Sequence, residues 1–326
     1  MKAITVSKLE GPEAITVEEI DAPGEVGIFG PQVLVDVHAV GVSFPDLLMS
    51  RGEYQMKPEL PFSLGVDFAG TIRHAPEGSG FEVGQRVAGV LGNGGAQEIA
   101  VGGPDNLFPL PDSMSFDQGA ALPMNYLTAH FALVERAQLK QGETVLIHGG
   151  AGGVGTATIQ VARGYGARTI AVVSTEEKAQ FAKAAGADEA VLFDGFLDSV
   201  KALTDGQGVD VVMDVVGGDS FTDSLRSLGT QGRLLVVGFA SGDGIPEVKV
   251  NRLLLNNIDV RGVGWGAYAM VRPGYMRHQW EELLPMMDSG VIDPPIGETY
   301  AFEDFGQALI DMDNRKTLGK SVVHVR

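Results

Sequence analysis

Apolar and polar residues follow two different periodic patterns along this chain. Over residues 1–120, short apolar runs separated by Gly, Pro and Asp predict β-strands, and the alternation is clearest at 33–40. One helix is predicted near residues 45–50, and a helical pattern runs from Ser115 to about residue 134. The first third of the chain is therefore expected to be a β-rich module.

The following residues alternate apolar runs with helical stretches, an order that predicts a doubly wound parallel sheet. Two helices and a final strand at 320–325 come after it. If that strand rejoins the first module, a β-rich domain is split around the parallel sheet. The strands predicted for the parallel sheet are 144–148, 169–173, 190–193, 209–215, 232–237 and 258–263, and the predicted helices are 154–165, 176–185, 196–204, 219–228, 277–289 and 302–314.

The turn after the first strand of this sheet carries a dense glycine motif between an apolar run and a helical pattern. Gly150, Gly152 and Gly155 fit the Gly-x-Gly-x-x-Gly fingerprint of a dinucleotide-binding turn. We expect Gly150 to take a positive φ, Gly152 to let a pyrophosphate approach, and Gly155 to let the helix pack on the strand. Backbone N–H groups of Gly153 and Val154, where the helix begins, would hold the phosphates.

Composition and charge narrow the range of functions. A chain of 326 residues with 44% hydrophobic and 20% charged residues indicates a soluble globular protein of about two domains. The net charge of −18 argues against nucleic acid and anionic membranes as partners. The lack of cysteine excludes disulfides, cysteine-zinc sites and thiolate catalysis. No signal-peptide core and no apolar stretch of ~20 residues is found, so a cytoplasmic protein acting on a small molecule is expected.

The second strand of the parallel sheet indicates the preferred nicotinamide cofactor. NAD-binding turns usually place Asp or Glu at the end of this strand. Here Val173 is followed by Ser174, and Lys178 lies one turn into the next helix, where its ammonium can pair with a 2′-phosphate. The sequence thus predicts NADPH. An alternative stays open, in which Ser174 and Glu177 form a capping box and Lys178 is a solvated helix residue.

Several further motifs accompany the glycine turn. They are Gly-Val-Ser-Phe-Pro-Asp at 41–46, Arg-Gly-Glu-Tyr at 51–54, Leu-Pro-Phe at 60–62, Gly-Val-Asp-Phe-Ala-Gly at 65–70, Leu-Pro-Met-Asn-Tyr-Leu-Thr at 122–128, Gly-Arg-Leu-Leu-Val-Val-Gly-Phe at 232–239 and Gly-Lys at 319–320. Together they make the whole chain resemble the medium-chain dehydrogenase/reductase superfamily, and within it the zinc-independent quinone oxidoreductases.

The resemblance implies a discontinuous GroES-like β-rich domain that holds the substrate and a Rossmann doubly wound parallel-sheet domain that holds NADPH, with a cleft between them. We predict the first domain at 1–122 and 268–326 and the second at 123–267. It also implies a homodimer paired through the last Rossmann strand, about 258–263, since an unpaired edge strand favours such pairing.

The resemblance also assigns residues to the site. Tyr54 is the candidate hydrogen-bond donor to a developing oxyanion, although solvent could protonate the product and Tyr54 could instead be packed on the domain surface. Asp46 and Asp67 are interpreted as structural. The predicted substrate pocket is Tyr54, Tyr126, Trp265 and Tyr268, and the predicted cofactor-binding residues are Ser43, Thr128, Gly150, Gly152, Gly153, Val154, Ser174, Lys178, Phe193, Gly217, Phe239, Ser241 and Lys320.

One motif departs from the zinc-dependent members of the superfamily. They have Gly-His-Glu with a zinc-binding His, whereas this chain has Val66 at that position and no cysteine to complete a site. His38 and His148 are interpreted as structural, and no metal is expected. Without a Lewis acid, alcohol oxidation is difficult, and hydride transfer to an electron-poor acceptor is favoured.

Three functions are consistent with these features. The leading prediction is an NADPH-dependent, zinc-independent reductase of quinones or related α,β-unsaturated carbonyls. An enoyl-thioester reductase would need a basic groove for a CoA phosphate, for which Lys57, Arg272 and Arg277 are candidates. A non-catalytic protein would bind NADPH without turnover. The loops of the first domain, which would shape the substrate pocket, carry no motif that distinguishes these three functions.

Overall fold

The computed structural model describes residues 1–27 and 30–326. The chain forms two compact units. The predicted domain boundaries differ from these units most at residues 282–293, which lie in unit 2. Unit 1 comprises Met1–Met124, Pro273–Glu281 and Pro294–Arg326, and unit 2 comprises Asn125–Arg272 and Glu282–Asp293.

The described residues form strands and helices in the following order. The strands are β1 (Lys2–Val6), β2 (Thr16–Glu19), β3 (Val26–Gly27), β4 (Gly30–Pro31), β5 (Val33–Gly41), β6 (Phe62–Ser63), β7 (Asp67–His74), β8 (Arg86–Val90), β9 (Ile99–Gly102), β10 (Leu107–Pro109), β11 (Thr144–His148), β12 (Arg168–Val173), β13 (Glu189–Leu192), β14 (Val209–Asp214), β15 (Leu228–Val236), β16 (Asp259–Gly262), β17 (Ile296–Ala301) and β18 (Lys320–His324). The α-helices are α1 (Phe44–Ser50), α2 (Phe116–Ala121), α3 (Pro123–His130), α4 (Gly153–Gly164), α5 (Glu176–Ala184), α6 (Phe196–Leu203), α7 (Phe221–Ser227), α8 (Asn251–Asn256), α9 (Trp265–Ala269), α10 (Tyr275–Asp288) and α11 (Phe305–Asp313).

Unit 1 is built on a mainly antiparallel sheet in the order β10-β8-β7-β5-β18-β17, with β9 also paired to β5. Val35 and Val37 of β5 are fully buried, as its alternating pattern requires. β18 pairs antiparallel with β5, placing Val322 opposite Gly41. The predicted return of the final strand to the first module is therefore confirmed.

Unit 2 is a parallel six-stranded sheet in the order β13-β12-β11-β14-β15-β16. Its central strands β11, β12 and β14 are largely apolar on both faces, and Leu146, Ile170, Val212 and Leu234 are buried in one cluster. The strand order reverses between β11 and β14, which is where ligands bind in doubly wound sheets. The predicted fold class, a β-rich module with a doubly wound parallel sheet, is confirmed.

Some elements differ from the predictions. The strand predicted at 232–237 begins earlier, at Leu228, and the helix predicted at 219–228 is shorter. α8, α9 and β17 were not predicted. The α3 helix continues as a π-helical segment, Phe131–Ala137. No helix in residues 1–27 and 30–326 is long and apolar enough to cross a membrane.

Candidate functional site

The glycine turn joins β11 to α4 in unit 2. The prediction for Gly150 was wrong, because the positive φ, +63°, belongs to Gly149. Gly150 is instead needed for packing, since a Cβ there would lie 2.6 Å from the Cβ of Ala171 in β12. A Cβ at Gly155 would collide with the Gly149 carbonyl oxygen. Gly152 is different, because a Cβ added there would meet only the Gly149 carbonyl oxygen, at 3.4 Å.

The start of α4 provides the chemistry of an anion site. Its first N–H groups, including those of Gly153 and Val154, have no acceptor within the helix. The positive end of the helix dipole adds to their attraction for a phosphate. The buried side chain of Asn125 lies against this turn, because a Cβ at Gly153 would come within 2.6 Å of its Nδ2. Sequence reasoning did not single out Asn125, although it lies in the motif at 122–128.

Two loops after β14 and β15 continue the same edge of the sheet. The Asp214 carboxylate accepts hydrogen bonds from the backbone N–H groups of Val216 and Gly217, at 2.9 and 2.8 Å. Ala240 and Ser241 donate backbone hydrogen bonds to the loop at Val215 and Val216. The predicted residues Gly217, Phe239 and Ser241 therefore lie together, and Gly217 needs its glycine, because φ is +66° and a Cβ would crowd the Phe239 ring.

The carboxyl end of β12 carries the residues predicted to select the cofactor. The capping alternative for Ser174 is wrong, because the Thr175 hydroxyl caps α5 by accepting the Lys178 N–H at 3.2 Å. Ser174 is exposed and Lys178 is half-buried. Phe193 follows β13, donates its N–H to the Val173 carbonyl at 2.7 Å and is 40% exposed. An exposed aromatic ring thus lies beside the end of β12.

Ser43 and Lys320 are engaged inside unit 1. The Lys320 ammonium donates to the Ser43 hydroxyl at 2.7 Å and to the Asp67 carboxylate at 2.6 Å, and all three side chains are buried. Its stem crosses β5 at Gly41, where a Cβ would lie 2.6 Å from Lys320 Cε. The other Asp67 oxygen accepts the Met124 N–H at 2.8 Å. Two of the three ammonium hydrogens that could serve a cofactor are therefore used within the protein.

Asp46 lies beside this ion pair but has different surroundings. One oxygen accepts the Gly65 N–H at 2.9 Å, and the other, Oδ2, is buried without a partner among the described residues. Burial raises the pKa of Asp46 to about 7, against the opposing pull of its hydrogen bonds and of Lys320. Burial, and then the charge of Asp46, also raise the pKa of the half-buried Tyr54.

The remaining predicted site residues lie in unit 2. Tyr126 is buried and donates to Gln160 at 2.7 Å, so it belongs to the core and we withdraw it from the substrate pocket. Trp265 is also buried, at the start of α9. Tyr268 is half-buried, with the Arg272 guanidinium 3.7 Å above its ring. Thr128 is buried within α3.

The two histidines interpreted as structural both make internal contacts. His148 is buried, hydrogen-bonds Ser224 at 2.8 Å and meets Phe196 edge-on. His38 stacks on Phe116 with ring centroids 4.2 Å apart. In the described part of the chain, no three His, Cys, Asp or Glu side chains are grouped to hold a metal ion.

Comparison with known proteins shows the family. Residues 30–112 match the alcohol dehydrogenase GroES-like domain, and residues 153–289 match the domain described as zinc-binding dehydrogenase. The chain is 37% identical to the quinone oxidoreductase-like protein 2 of Rattus norvegicus, over 100% of this chain and 92% of that protein. The chain belongs to the quinone oxidoreductase family. This places it in the medium-chain dehydrogenase/reductase superfamily, as the motifs predicted.

Two solved structures resemble the present one over nearly its whole length. The mycobacterial protein Rv1454c, complexed with NADPH, has a TM-score of 0.89 and 32% identity, covering 99% of this chain and 100% of that one. The Escherichia coli quinone oxidoreductase, also complexed with NADPH, has a TM-score of 0.88 and 28% identity, with coverage of 99% and 100%.

Proposed function

We propose that this chain is an NADPH-dependent reductase that transfers hydride to quinones or related α,β-unsaturated carbonyls. The observation that carries the proposal is the glycine turn of unit 2, which opens onto the point where the strand order reverses. Quinone oxidoreductase relatives support the reaction class, and two similar proteins complexed with NADPH support the cofactor.

The glycine turn and its neighbours fit a dinucleotide. Gly152 leaves room for a pyrophosphate, and the N–H groups of Gly153 and Val154 would hold it. Lys178, beside the exposed Ser174, would take the 2′-phosphate, and the exposed Phe193 ring would cover the adenosine end. When bound, NADPH supplies the hydride. Gly217, Phe239 and Ser241, on the loops after β14 and β15 at the same edge of the sheet, would also contact the cofactor.

The acceptor is proposed to react without a metal. The chain has no cysteine, and Val66 stands where zinc-dependent relatives have a histidine ligand. A quinone or enone accepts hydride without a Lewis acid, provided that it is positioned and its developing oxyanion is stabilised. Tyr54 is the proposed donor to that oxyanion. We expect activity to be unchanged by chelators and washed protein to contain no stoichiometric zinc.

A homodimer and a cytoplasmic location are part of the proposal. Within the described sheet, β16 pairs only with β15, so its outer edge is unpaired. Large apolar side chains are exposed near it in unit 2, including Leu254 and Leu255 on α8 and Val260 on β16. An unpaired edge with exposed apolar residues favours association with a second copy.

The direct test follows NADPH and NADH oxidation with 1,4-benzoquinone, 9,10-phenanthrenequinone, an enone and crotonyl-CoA. Turnover of a quinone or enone with a preference for NADPH is expected. Turnover of crotonyl-CoA alone would favour an enoyl-thioester reductase. Tight NADPH binding with no turnover of any acceptor would contradict the proposed reaction and favour a binding protein.

A further inference from the structure

We propose that His148 is a positioning residue of the cofactor site. A chain of hydrogen bonds through Ser224 and Ser220 lets its imidazole hold the Gly217 loop, residues 214–220, in one conformation. The inference rests on the proposed function, because the Gly217 loop is one of those that would contact NADPH. It extends the interpretation of His148 as structural by giving the ring a defined task.

His148 is a polar residue placed in an apolar part of the core. It is the last residue of β11, directly before the glycine turn, and is completely buried. Side chains two apart on a strand share a face, so His148 lies on the face of Leu146, whose cluster includes side chains of α6 and α7. Burial of a polar ring there is costly unless a hydrogen bond compensates for it. The bond to Ser224 of α7 is that compensation.

Three hydrogen bonds lead from the imidazole to the loop after β14. His148 Nε2 lies 2.8 Å from the Ser224 hydroxyl oxygen, and this hydroxyl donates to the Ser220 carbonyl at 2.9 Å. The Ser220 hydroxyl donates in turn to the Gly217 carbonyl at 3.0 Å. Ser220 and Ser224 are both buried, so these bonds are shielded from water. The contacts therefore form a continuous chain from the ring to the loop.

The direction of these bonds fixes the form of the imidazole. The Ser224 hydroxyl has one hydrogen, and a carbonyl oxygen only accepts, so that hydrogen is used in the bond to Ser220. Nε2 must then carry the hydrogen of the bond to Ser224. Nδ1 is buried without a partner among the described residues, so a proton there would be an unpaired buried donor. His148 is therefore neutral and protonated at Nε2.

The charges around the ring agree with this neutral form. Burial lowers the pKa of His148, against the opposing pull of the Asp214 carboxylate on β14. That carboxylate already accepts two backbone N–H groups of the Gly217 loop. The side chains that contact the ring from α6 and α7, Phe196 and Ser224, carry no charge. The ring therefore acts as a hydrogen-bond donor and not as a buried cation.

The Gly217 loop needs side-chain support because its own backbone provides little. Gly217 and Gly218 both have a positive φ, +66° and +70°, and two adjacent glycines have many alternative conformations. The Asp214 carboxylate accepts the Gly217 N–H at 2.8 Å, and the Ser220 hydroxyl donates to the carbonyl of the same residue. A loop that is ordered beforehand does not consume binding energy when the ligand binds. Loss of the His148 bond should therefore weaken NADPH binding.

The binding test uses three replacements of His148 that differ in where they place an N–H donor. The Gln amide nitrogen lies as many bonds from the backbone as Nε2, whereas the Asn amide nitrogen reaches only as far as Nδ1. His148→Gln should keep the Kd for NADPH within about twofold of wild type, whereas His148→Asn and His148→Leu should raise it roughly 5- to 10-fold, the loss of one hydrogen bond. Equal losses in all three variants would overturn the inference, because the donor would then not matter.

A second set of variants tests the chain of bonds itself. Ser224→Ala and Ser220→Ala each remove one bond and should raise the Kd for NADPH as His148→Leu does. Since the bonds act in series, combining either variant with His148→Leu should add little, and fully additive losses would contradict the chain. Ser227→Ala is the matched control on α7, because its buried hydroxyl makes the same kind of bond, to the Asp223 carbonyl at 2.9 Å. It should leave the Kd unchanged.

Two measurements need no cofactor. Backbone hydrogen exchange at 214–220 should be faster in His148→Leu and Ser220→Ala than in wild type, and unchanged in His148→Gln. Nitrogen NMR of the imidazoles should show one ring that is neutral and protonated at Nε2 at about pH 7. Its loss in His148→Gln assigns it to His148 among the six histidines of the chain. The other tautomer, or a charged ring, would overturn the inference.

These outcomes separate the inference from the proposed function. If wild type binds no NADPH, the proposed function fails, and hydrogen exchange alone decides whether His148 holds the Gly217 loop. If the exchange changes while the Kd for NADPH does not, His148 is structural and the inference is wrong. Should His148→Leu not fold, an unchanged Kd in Ser220→Ala overturns the inference equally.

Discussion

Asp46 and Asp67 are both buried in unit 1, but their carboxyl groups have different hydrogen-bond partners. Asp67 accepts hydrogen bonds from Lys320, Ser43 and the Met124 N–H, and such charge-assisted bonds stabilise a carboxylate. Asp46 has one backbone donor and one bare oxygen, which stabilises the neutral acid. The two buried aspartates thus differ in the number of donors that face their carboxyl groups.

The raised pKa of Asp46 makes folding stability depend on pH. Between about 4 and 7 the unfolded chain releases this proton while the folded chain keeps it, so the folded state binds more protons and stability falls as pH rises. The loss amounts to about 4 kcal/mol once pH exceeds 7. Asp46→Asn should remove this part of the pH dependence of the unfolding free energy, even if it also changes the stability by the same amount at every pH. Urea unfolding of both proteins from pH 4 to 8 checks this, and parallel slopes would contradict it.

Lys178 is predicted to set the preference for NADPH. Lys178→Ala should raise the KM for NADPH about 10-fold, the loss of one hydrogen bond to a charged group, and change the KM for NADH little. Lys183→Ala on the same helix is the matched control, because Lys183 is paired with Glu189 at 3.5 Å. Equal effects of Lys178→Ala on both cofactors would rule out its contact with the 2′-phosphate.

At the scale of elements, the glycine turn combines two kinds of glycine that the fingerprint does not distinguish. Gly150 makes room for the neighbouring strand, whereas a Cβ at Gly152 would meet only the Gly149 carbonyl oxygen, at 3.4 Å. Gly150→Ala should therefore destabilise the fold by about 1–3 kcal/mol. Gly152→Ala should leave Tm unchanged, since its φ of −89° suits alanine, but raise the Kd for NADPH.

Calorimetric Tm values and NADPH titrations of the two variants check this contrast. Gly103→Ala is the control, because a Cβ there meets nothing within 4 Å. Wild-type affinity for NADPH in Gly152→Ala would show that no pyrophosphate lies against this turn.

The elements that the sequence predicted are those whose local pattern carries the information. β11, β12 and β14 are apolar runs closed by turn residues, and their order alone indicated the doubly wound sheet. The short helix α8 was missed because none of its residues is buried, so it has no amphipathic period. Likewise the Lys320–Asp67 pair joins positions 253 residues apart across Gly41, and no local pattern encodes that contact.

At the scale of the whole molecule, a strongly negative chain does not prevent local association. The net charge of −18 is distributed over the chain, whereas charge repulsion between exposed groups falls off within about 10 Å at ordinary ionic strength. The unpaired edge of a short strand such as β16 can therefore pair with a copy of itself. The exposed leucines of α8, which directly precedes β16 in the chain, add exposed apolar surface to unit 2.

The proposed dimer predicts that one charge at the β16 edge will separate the subunits. Val260, on β16, is 37% exposed, and in a two-fold strand pair each Val260→Lys would bring like charges close together. Light scattering should give the mass of two chains for wild type and of one chain for this variant. Val83→Lys, at a 70% exposed site in unit 1, should stay dimeric. A single-chain mass for wild type would refute the dimer, and a dimeric Val260→Lys would place the interface elsewhere.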